Sequence, residues 1–240
     1  MWSKLQEAWL LRTNGIAFHA KDCESDQGDY RTTSHAENQS LYRDLTTFVA
    51  ESGLCGWSFA IDLTAQRQVF PDAPDLAYYK GFTEVVEAMN RFATHYGQDV
   101  SLTFDSRRES NFNAGFLHQM FRGAKTIGPS GDEPLRFASA HDEPRLQVAD
   151  LVAREAMKAL DNQVGPKKRP PRKSWMALYA TERFVIDVVG LSWFESLKEQ
   201  LPRMRQELQL DEQGYSEWLR ETGLQHNVTS LFRYISPSRS

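Results

Sequence analysis

Two aspartates, Asp105 and Asp150, close or interrupt the most strongly patterned stretches of the chain. In Val100-Ser-Leu-Thr-Phe-Asp105, Val100, Leu102 and Phe104 share one face of a strand, while Ser101, Thr103 and Asp105 share the other. A carboxylate at the carboxyl end of a strand, on its polar face, stands where open α/β sheets hold their ligands. Asp150 is the carboxylate set into Pro144–Leu160, a segment apolar nearly all round and therefore expected as a buried helix. Gln147 precedes it on the same side and Arg154 follows one turn later. A buried carboxylate needs a cation, a set of donors or a metal ion. Two outcomes stay open: an Asp150–Arg154 pair inside the helix, or a rim where Asp105 and Asp150 meet. Carboxylates that meet repel unless a divalent ion joins them. Two Mg²⁺ or Mn²⁺ ions roughly 4 Å apart can activate water and stabilise the leaving oxygen of a phosphodiester. Hard ions want oxygen ligands, which suits an Asp-rich chain with two cysteines. The competing expectation is two aspartates paired separately with arginines.

Other side chains have a chemical and a bland role each. Arg107 and Arg108, just past the strand, suit phosphate or plain solvent exposure. Glu109 suits a ligand or base, or a surface pair with one of those arginines. His19 suits a ligand or general base, or a structural hydrogen bond. His141 lies just before the Asp150 helix, on the side of the expected rim. His118 is read as structural, and His35, His95 and His226 as surface residues.

The elements that must position these groups follow from periodicity and punctuation. Trp2, Leu5 and Trp9 predict a helix over 2–12, stopped by Asn14-Gly15. Residues 16–19 read as a short extended segment, and Lys21–Tyr30 as a solvated acidic loop. Ser40–Glu51 reads as a helix. In Leu54–Leu63, a strand, Trp57, Phe59, Ile61 and Leu63 alternate with Ser58, Ala60 and Asp62, and Trp57 is assigned to the core. Leu76–Tyr96 is the clearest helix, ended by Gly97. A helix over 112–121 and a loop over 123–134 follow. A short strand and turn then lead to Pro144, a residue suited to the first helical position. The 161–173 segment, with five basic residues (Lys167, Lys168, Arg169, Arg172, Lys173) and three prolines, reads as an extended, exposed linker. Its basic run suits a nucleic-acid backbone or plain solvation. Trp175–Val189, Ser192–Leu210 and Glu217–Leu224 read as helices, and the tail from Ser236 as loose.

The totals set the bounds. At 240 residues the chain fits one large domain or a domain with an appendage. Forty per cent hydrophobic and 25% charged residues are ordinary for a globular protein. No apolar run reaches the roughly 18–20 residues of a membrane span. The opening residues lack a secretory pattern, and two cysteines without a CxxC spacing exclude a disulfide framework, which suits a cytoplasmic location. A net charge of −4 leaves nucleic-acid binding to local patches.

Four stretches in the right order resemble the large bacterial family catalogued as domain of unknown function 3800. They are Trp2-x2-Leu5-x3-Trp9 with Gly15-Ile-Ala-Phe-His-Ala-Lys-Asp22, the helix from Tyr79 to Tyr96, Val100-Ser-Leu-Thr-Phe-Asp105-Ser-Arg, and Pro144-Arg-Leu-Gln-Val-Ala-Asp150-Leu-Val-Ala. The last, like the family's Leu-Gln-x-Ala-Asp-Leu signature, is the most specific, and the four span roughly residues 1–200. The resemblance implies a ribonuclease H-like α/β fold, a mixed sheet flanked by helices with a helical C-terminal extension. It implies a nuclease-like site with Mg²⁺ or Mn²⁺ held by Asp105 and Asp150, and brings Asp22 and His19 to the same rim. Arg107, Arg108 and His141 are then expected on substrate.

Family members also carry an N-terminal strand with an Asp-Glu-Ser-Gly-like motif, whose Asp is the expected central ligand. The sequence opens at the first helix instead. A non-catalytic nucleic-acid-binding or protein-interaction module that keeps the fold is therefore the alternative, and an unpaired sheet edge would favour a homo-oligomer. The expected division is 1–160 for the α/β domain, 161–173 for the linker and 174–235 for the extension.

Overall fold

The computed structural model describes residues 2–73, 76–97, 100–106, 135–207, 211 and 213–214. It is a mixed α/β protein, mostly helical, with small two-stranded sheets. The chain divides into two compact units, each built from three separate segments. Unit 1 takes Met1–Ala60, Thr103–Ser106 and Arg136–Asp187; unit 2 takes Ile61–Leu102, Arg107–Leu135 and Val188–Ser240.

Unit 1 begins with α1 (Trp2–Arg12), stopped as expected by Asn14 (φ 52°) and Gly15 (φ 73°) in left-handed conformation. Residues 21–30, expected as a solvated loop, instead form α2 (Ala20–Glu24) and a 3₁₀ turn (Gly28–Tyr30). The reason is apolar: Ala20, Cys23 and Tyr30 are buried in the core, so the acidic residues sit on a packed element. Next comes α3 (His35–Glu51), which starts five residues before the expected Ser40 because Ser34 and Glu37 form a capping box. Strand β1 (Gly56–Ile61) follows.

The segments that return to unit 1 are β2 (Thr103–Asp105), β3 (Arg136–Ala138), α6 (Pro144–Val164), α7 (Lys173–Tyr179) and most of β4 (Phe184–Val189). β2 and β3 pair in parallel with Asp105 opposite Ala138, and β1 pairs with β4. Pro144 opens α6, and Glu143 accepts from Arg145 N–H as its cap. Helix α6 is not buried all round: Gln147, Val148, Leu151, Val152, Glu155, Ala156, Ala159 and Leu160 face inward, while Ala149, Ala153 and Met157 are exposed. The expected helix over 175–189 is two elements. Val185, Ile186, Val188 and Val189 are stiff at χ1 and favour extended backbone, so the segment after Glu182 (φ 58°) becomes β4.

β1 places its faces against expectation for Trp57. Ser58 and Ala60 are buried, while Trp57 and Phe59 are half-buried, and Trp57 Nε1 donates to Asp187 Oδ2 at 2.6 Å. Small residues face inward because a ring packs against this strand: a Cβ at Gly56 would overlap Phe184. The core joins Trp9, Phe18, Tyr42, Leu45, Val49, Leu151, Trp175, Leu178 and Phe184, so α7 and β4 belong to it and not to an appended layer.

Unit 2 holds α4 (Leu63–Val69), α5 (Leu76–Tyr96) and α8 (Leu191–Glu207). α4 is not among the elements expected from the sequence; Asp62 starts it by accepting from Thr64 and Ala65 N–H. α5 has the expected bounds and ends at Gly97 (φ 60°). The expected helix over 112–121, loop over 123–134 and helix over 217–224 lie outside the described residues. No helix among the described residues is long and apolar enough to cross a membrane.

Candidate functional site

The Leu-Gln-x-Ala-Asp segment is the hub of unit 1. Gln147, 1% exposed, uses both ends of its amide. Its Oε1 accepts from Trp9 Nε1 at 2.7 Å and from Phe18 N–H at 3.0 Å, and its Nε2 donates to Ala140 O at 2.7 Å. One side chain of α6 thereby fixes α1, the approach to α2 and the turn before its own helix.

One turn on, Asp150 Oδ2 accepts from Ala20 N–H at 2.8 Å. Residues 130 apart meet here, and the contact lands on the first turn of α2, which is flanked by His19 and carries Asp22. His19 Nδ1 lies 3.4 Å from Asp22 Oδ2, both side chains being partly exposed. β2 packs against α6, so the strand that ends in Asp105 reaches the helix that carries Asp150. Asp105 itself is exposed. His141 is 82% exposed, with Nδ1 3.5 Å from Asp142 Oδ1. Ser139 and His141 together hold the Asp142 carboxyl below its usual range. Arg107, Arg108, Glu109 and His118 lie outside the described residues.

The Asp150–Arg154 pair does not form. Arg154 turns instead to Glu24, its Nε 2.6 Å from Glu24 Oε2. Arg172 reaches the other oxygen of Glu24 at 2.9 Å. Beneath this clamp lies Glu155, fully buried, a second carboxylate of α6 that is not among the sequence candidates. It accepts from Tyr42 OH at 2.7 Å and Ser174 Oγ at 2.6 Å, with Arg172 Nη1 at 3.5 Å. Burial, reinforced by the charge of Glu155, pushes the Tyr42 phenol well above its usual range. Glu155 sits one position from Arg154 and eight from Gln147, on the buried side of α6; that periodicity was the available signal.

Among the described residues no group of three or more His, Cys, Asp or Glu side chains stands close enough to hold one metal ion. What forms is a set of His–Asp pairs: His19–Asp22, His35–Asp26 at 2.8 Å and His141–Asp142. His35 is therefore exposed, as expected, yet engaged, and Asn38 and His35 together hold the Asp26 carboxyl below its usual range. Comparison with known proteins adds nothing to this geometry: no family profile, no curated protein and no solved structure matches the chain.

Proposed function

We propose that the chain is a ribonuclease H-like protein of the domain-of-unknown-function-3800 kind. Its activity on this proposal is hydrolysis of phosphodiester bonds with Mg²⁺ or Mn²⁺ held by one or two of the carboxylates Asp150, Asp22 and Asp105, with water and substrate phosphate completing the shell. The observation that supports it is the hydrogen bond from Ala20 N–H to Asp150 Oδ2, which draws the signature carboxylate onto the turn bearing His19 and Asp22.

The donor set suits a hard ion of limited demand. Mg²⁺ typically keeps several waters and takes one or two carboxylates plus substrate phosphate, without an all-protein cage. Bound there, it would supply an acidified water and charge stabilisation at the leaving oxygen. The chain's own residues do the rest. Ala20 N–H fixes one oxygen of Asp150 and so orients the other, which has no hydrogen-bond partner among the described residues. The ring of His19, half-exposed beside Asp22, can take or give a proton at Nδ1. On this proposal His141 meets the substrate phosphates, while the same expectation for Arg107 and Arg108 falls outside the described residues.

A second function is favoured by a specific observation: the absence of a three-ligand group among the described residues. It makes Asp150 a structural acceptor and the chain a non-catalytic nucleic-acid-binding or protein-interaction module.

Asp150→Asn separates the two. Asn keeps an oxygen for Ala20 N–H, so the melting temperature should stay within about 2 °C of the parent, while Mn²⁺-dependent cleavage of labelled DNA or RNA is abolished. Cleavage that survives the substitution sinks the assignment. A parent protein that neither cleaves nor gives heat on titration with Mn²⁺ leaves the non-catalytic module in its place.

A further inference from the structure

We infer that the basic strap after α6 is a docking track for the sugar–phosphate backbone of a nucleic acid; the choice of nucleic acid as the partner rests on the function proposed above.

The strap is ordered from both ends. Gly165 (φ −63°, ψ 162°) turns the chain out of α6 into extended backbone. Arg169 N–H donates to Asn162 O at 3.0 Å, and Asn162 Nδ2 donates to Pro170 O at 3.2 Å, so the last turn of the helix clasps the strap. At the far end Arg172 folds inward onto Glu24 (2.9 Å) and Glu155 (3.5 Å), with its guanidinium 5.4 Å from the Tyr42 ring. Between these anchors residues 166–171 are all exposed.

One cation of the five is thus consumed internally. The side chains of Lys167, Lys168, Arg169 and Lys173 are exposed and have no hydrogen-bond or ion-pair partner among the described residues. The acids nearby are already committed: Asp161 to Lys158 at 4.0 Å, Glu24 to Arg154 and Arg172, and Glu155 to Tyr42 and Ser174. Four unneutralised positive charges on a preformed strap, in a chain of net charge −4, are a local field and not a by-product of composition. Prolines and anchors have already removed much of the strap's freedom, so binding costs little ordering entropy.

The composition of the strap selects among polyanions. From Pro166 to Lys173 it carries no aromatic or large aliphatic side chain, so it has nothing to sink into a lipid headgroup layer. A phosphate backbone asks only for repeated cations. Position agrees: Arg172 anchors the strap to α2, the helix that also carries Asp22. From there the strap leads back towards Asn162, about 18 Å along α6 from Asp150 at roughly 1.5 Å per residue.

The test is fluorescence anisotropy of a labelled 20-mer, as duplex DNA and as RNA, in EDTA, between 50 and 200 mM salt. The full chain is compared with the triple variant Lys167→Ala/Lys168→Ala/Arg169→Ala. These side chains have no partners among the described residues, so the melting temperature should be unchanged. On duplex DNA the slope of log K against log salt should become shallower by roughly 2.7, three contacts at about 0.9 each, with affinity at 50 mM weaker by about tenfold or more. An unchanged slope and affinity overturns the inference, as does triple-variant-sensitive binding to phosphatidylserine vesicles without nucleic-acid binding. Strap-dependent binding without any Mn²⁺ cleavage would support the track while refuting the nuclease.

Discussion

Arg154 passes over Asp150, one turn earlier on its own helix, and pairs with Glu24 of α2, Nε to Oε2 at 2.6 Å. Glu24 takes Arg172 on its other oxygen, so one carboxylate from a five-residue helix ties α2 to α6 and to the end of the strap. Among the described residues Asp150, relieved of an arginine, meets a backbone N–H on Oδ2 and no other hydrogen-bond partner. A carboxylate held by a neutral donor is not already neutralised by a cation, as an arginine-paired one is.

Glu24→Gln tests the clamp. It leaves two guanidinium groups around an uncharged amide at a site where the partners' side chains are only 14–24% exposed. Stability should fall by about 2 kcal/mol, below the 3–5 typical of fully buried pairs because some water remains. Urea unfolding should show a lower midpoint at an unchanged m-value. A shift below about 0.5 kcal/mol would mean that the clamp adds nothing to stability.

Gln147→Leu keeps the volume and removes the amide. The Trp9 indole N–H, the Phe18 N–H and the Ala140 carbonyl lose their partners together. The expected loss is about 2–4 kcal/mol, two or three orphaned groups at a discount for relaxation. A melting temperature close to that of the parent would show that water or neighbouring groups replace the amide.

The two cysteines should differ in reactivity. Cys55 is exposed, whereas Cys23 is fully buried and desolvation raises its thiol to about 12. A disulfide reagent at pH 8 should therefore count one fast thiol in the native chain and two in denaturant. Two fast thiols would mean that α2 opens readily.

Alkaline pH should destabilise the fold. Cys23, Tyr30 and Tyr42 are all raised, chiefly by burial, so the folded state retains protons that the unfolded chain releases. With fewer protons bound in the unfolded state, stability falls as pH rises. For Cys23 the loss begins near its ordinary value of 9.0 and continues to about 12. Melting temperature should decline above about pH 9, and the decline between pH 9 and 10 should be shallower in Cys23→Ala. A flat profile across that range would contradict the burial of these groups.

Glycines give a contrast within one chain. Gly56→Ala drives a methyl into the Phe184 ring and should cost about 1–3 kcal/mol as overpacking. At Gly190 a Cβ meets nothing within 4 Å, and its carbonyl already accepts from Trp193 and Phe194 at the start of α8. Gly190→Ser should be neutral or mildly stabilising as a better cap. Chemical denaturation of both variants measures the difference.

What could be read in advance was local. Asn14-Gly15, Gly97 and Pro144 act on their own backbone, and each ends or starts its helix where expected. The capping box at Ser34 and Glu37 and the cap at Asp62 are equally local, and they set the start of α3 and the existence of α4, neither of which apolar periodicity alone shows. The site depended on partners far away in sequence. Arg154 has Asp150 and Glu24 as competitors at similar reach, and only the packing of α2 on α6 decides between them. Trp57 invited a core assignment by its size, but Phe184 across β4 already fills that side of the strand. Glu155 lies on the inward face that helical spacing alone defines, so its burial is legible in the sequence while its partners on other elements are not.

The interleaving of the two units bears on how the chain acquires its shape. Trp9 waits for Gln147, 138 residues on, and the same core is sealed by Trp175 and Phe184. Emerging from a ribosome, the first sixty residues must stay unsealed while most of the chain is made, a topology of distant contacts that slows folding. No single cut releases either unit whole, so half-length fragments should be chaperone clients and not miniature versions of the protein.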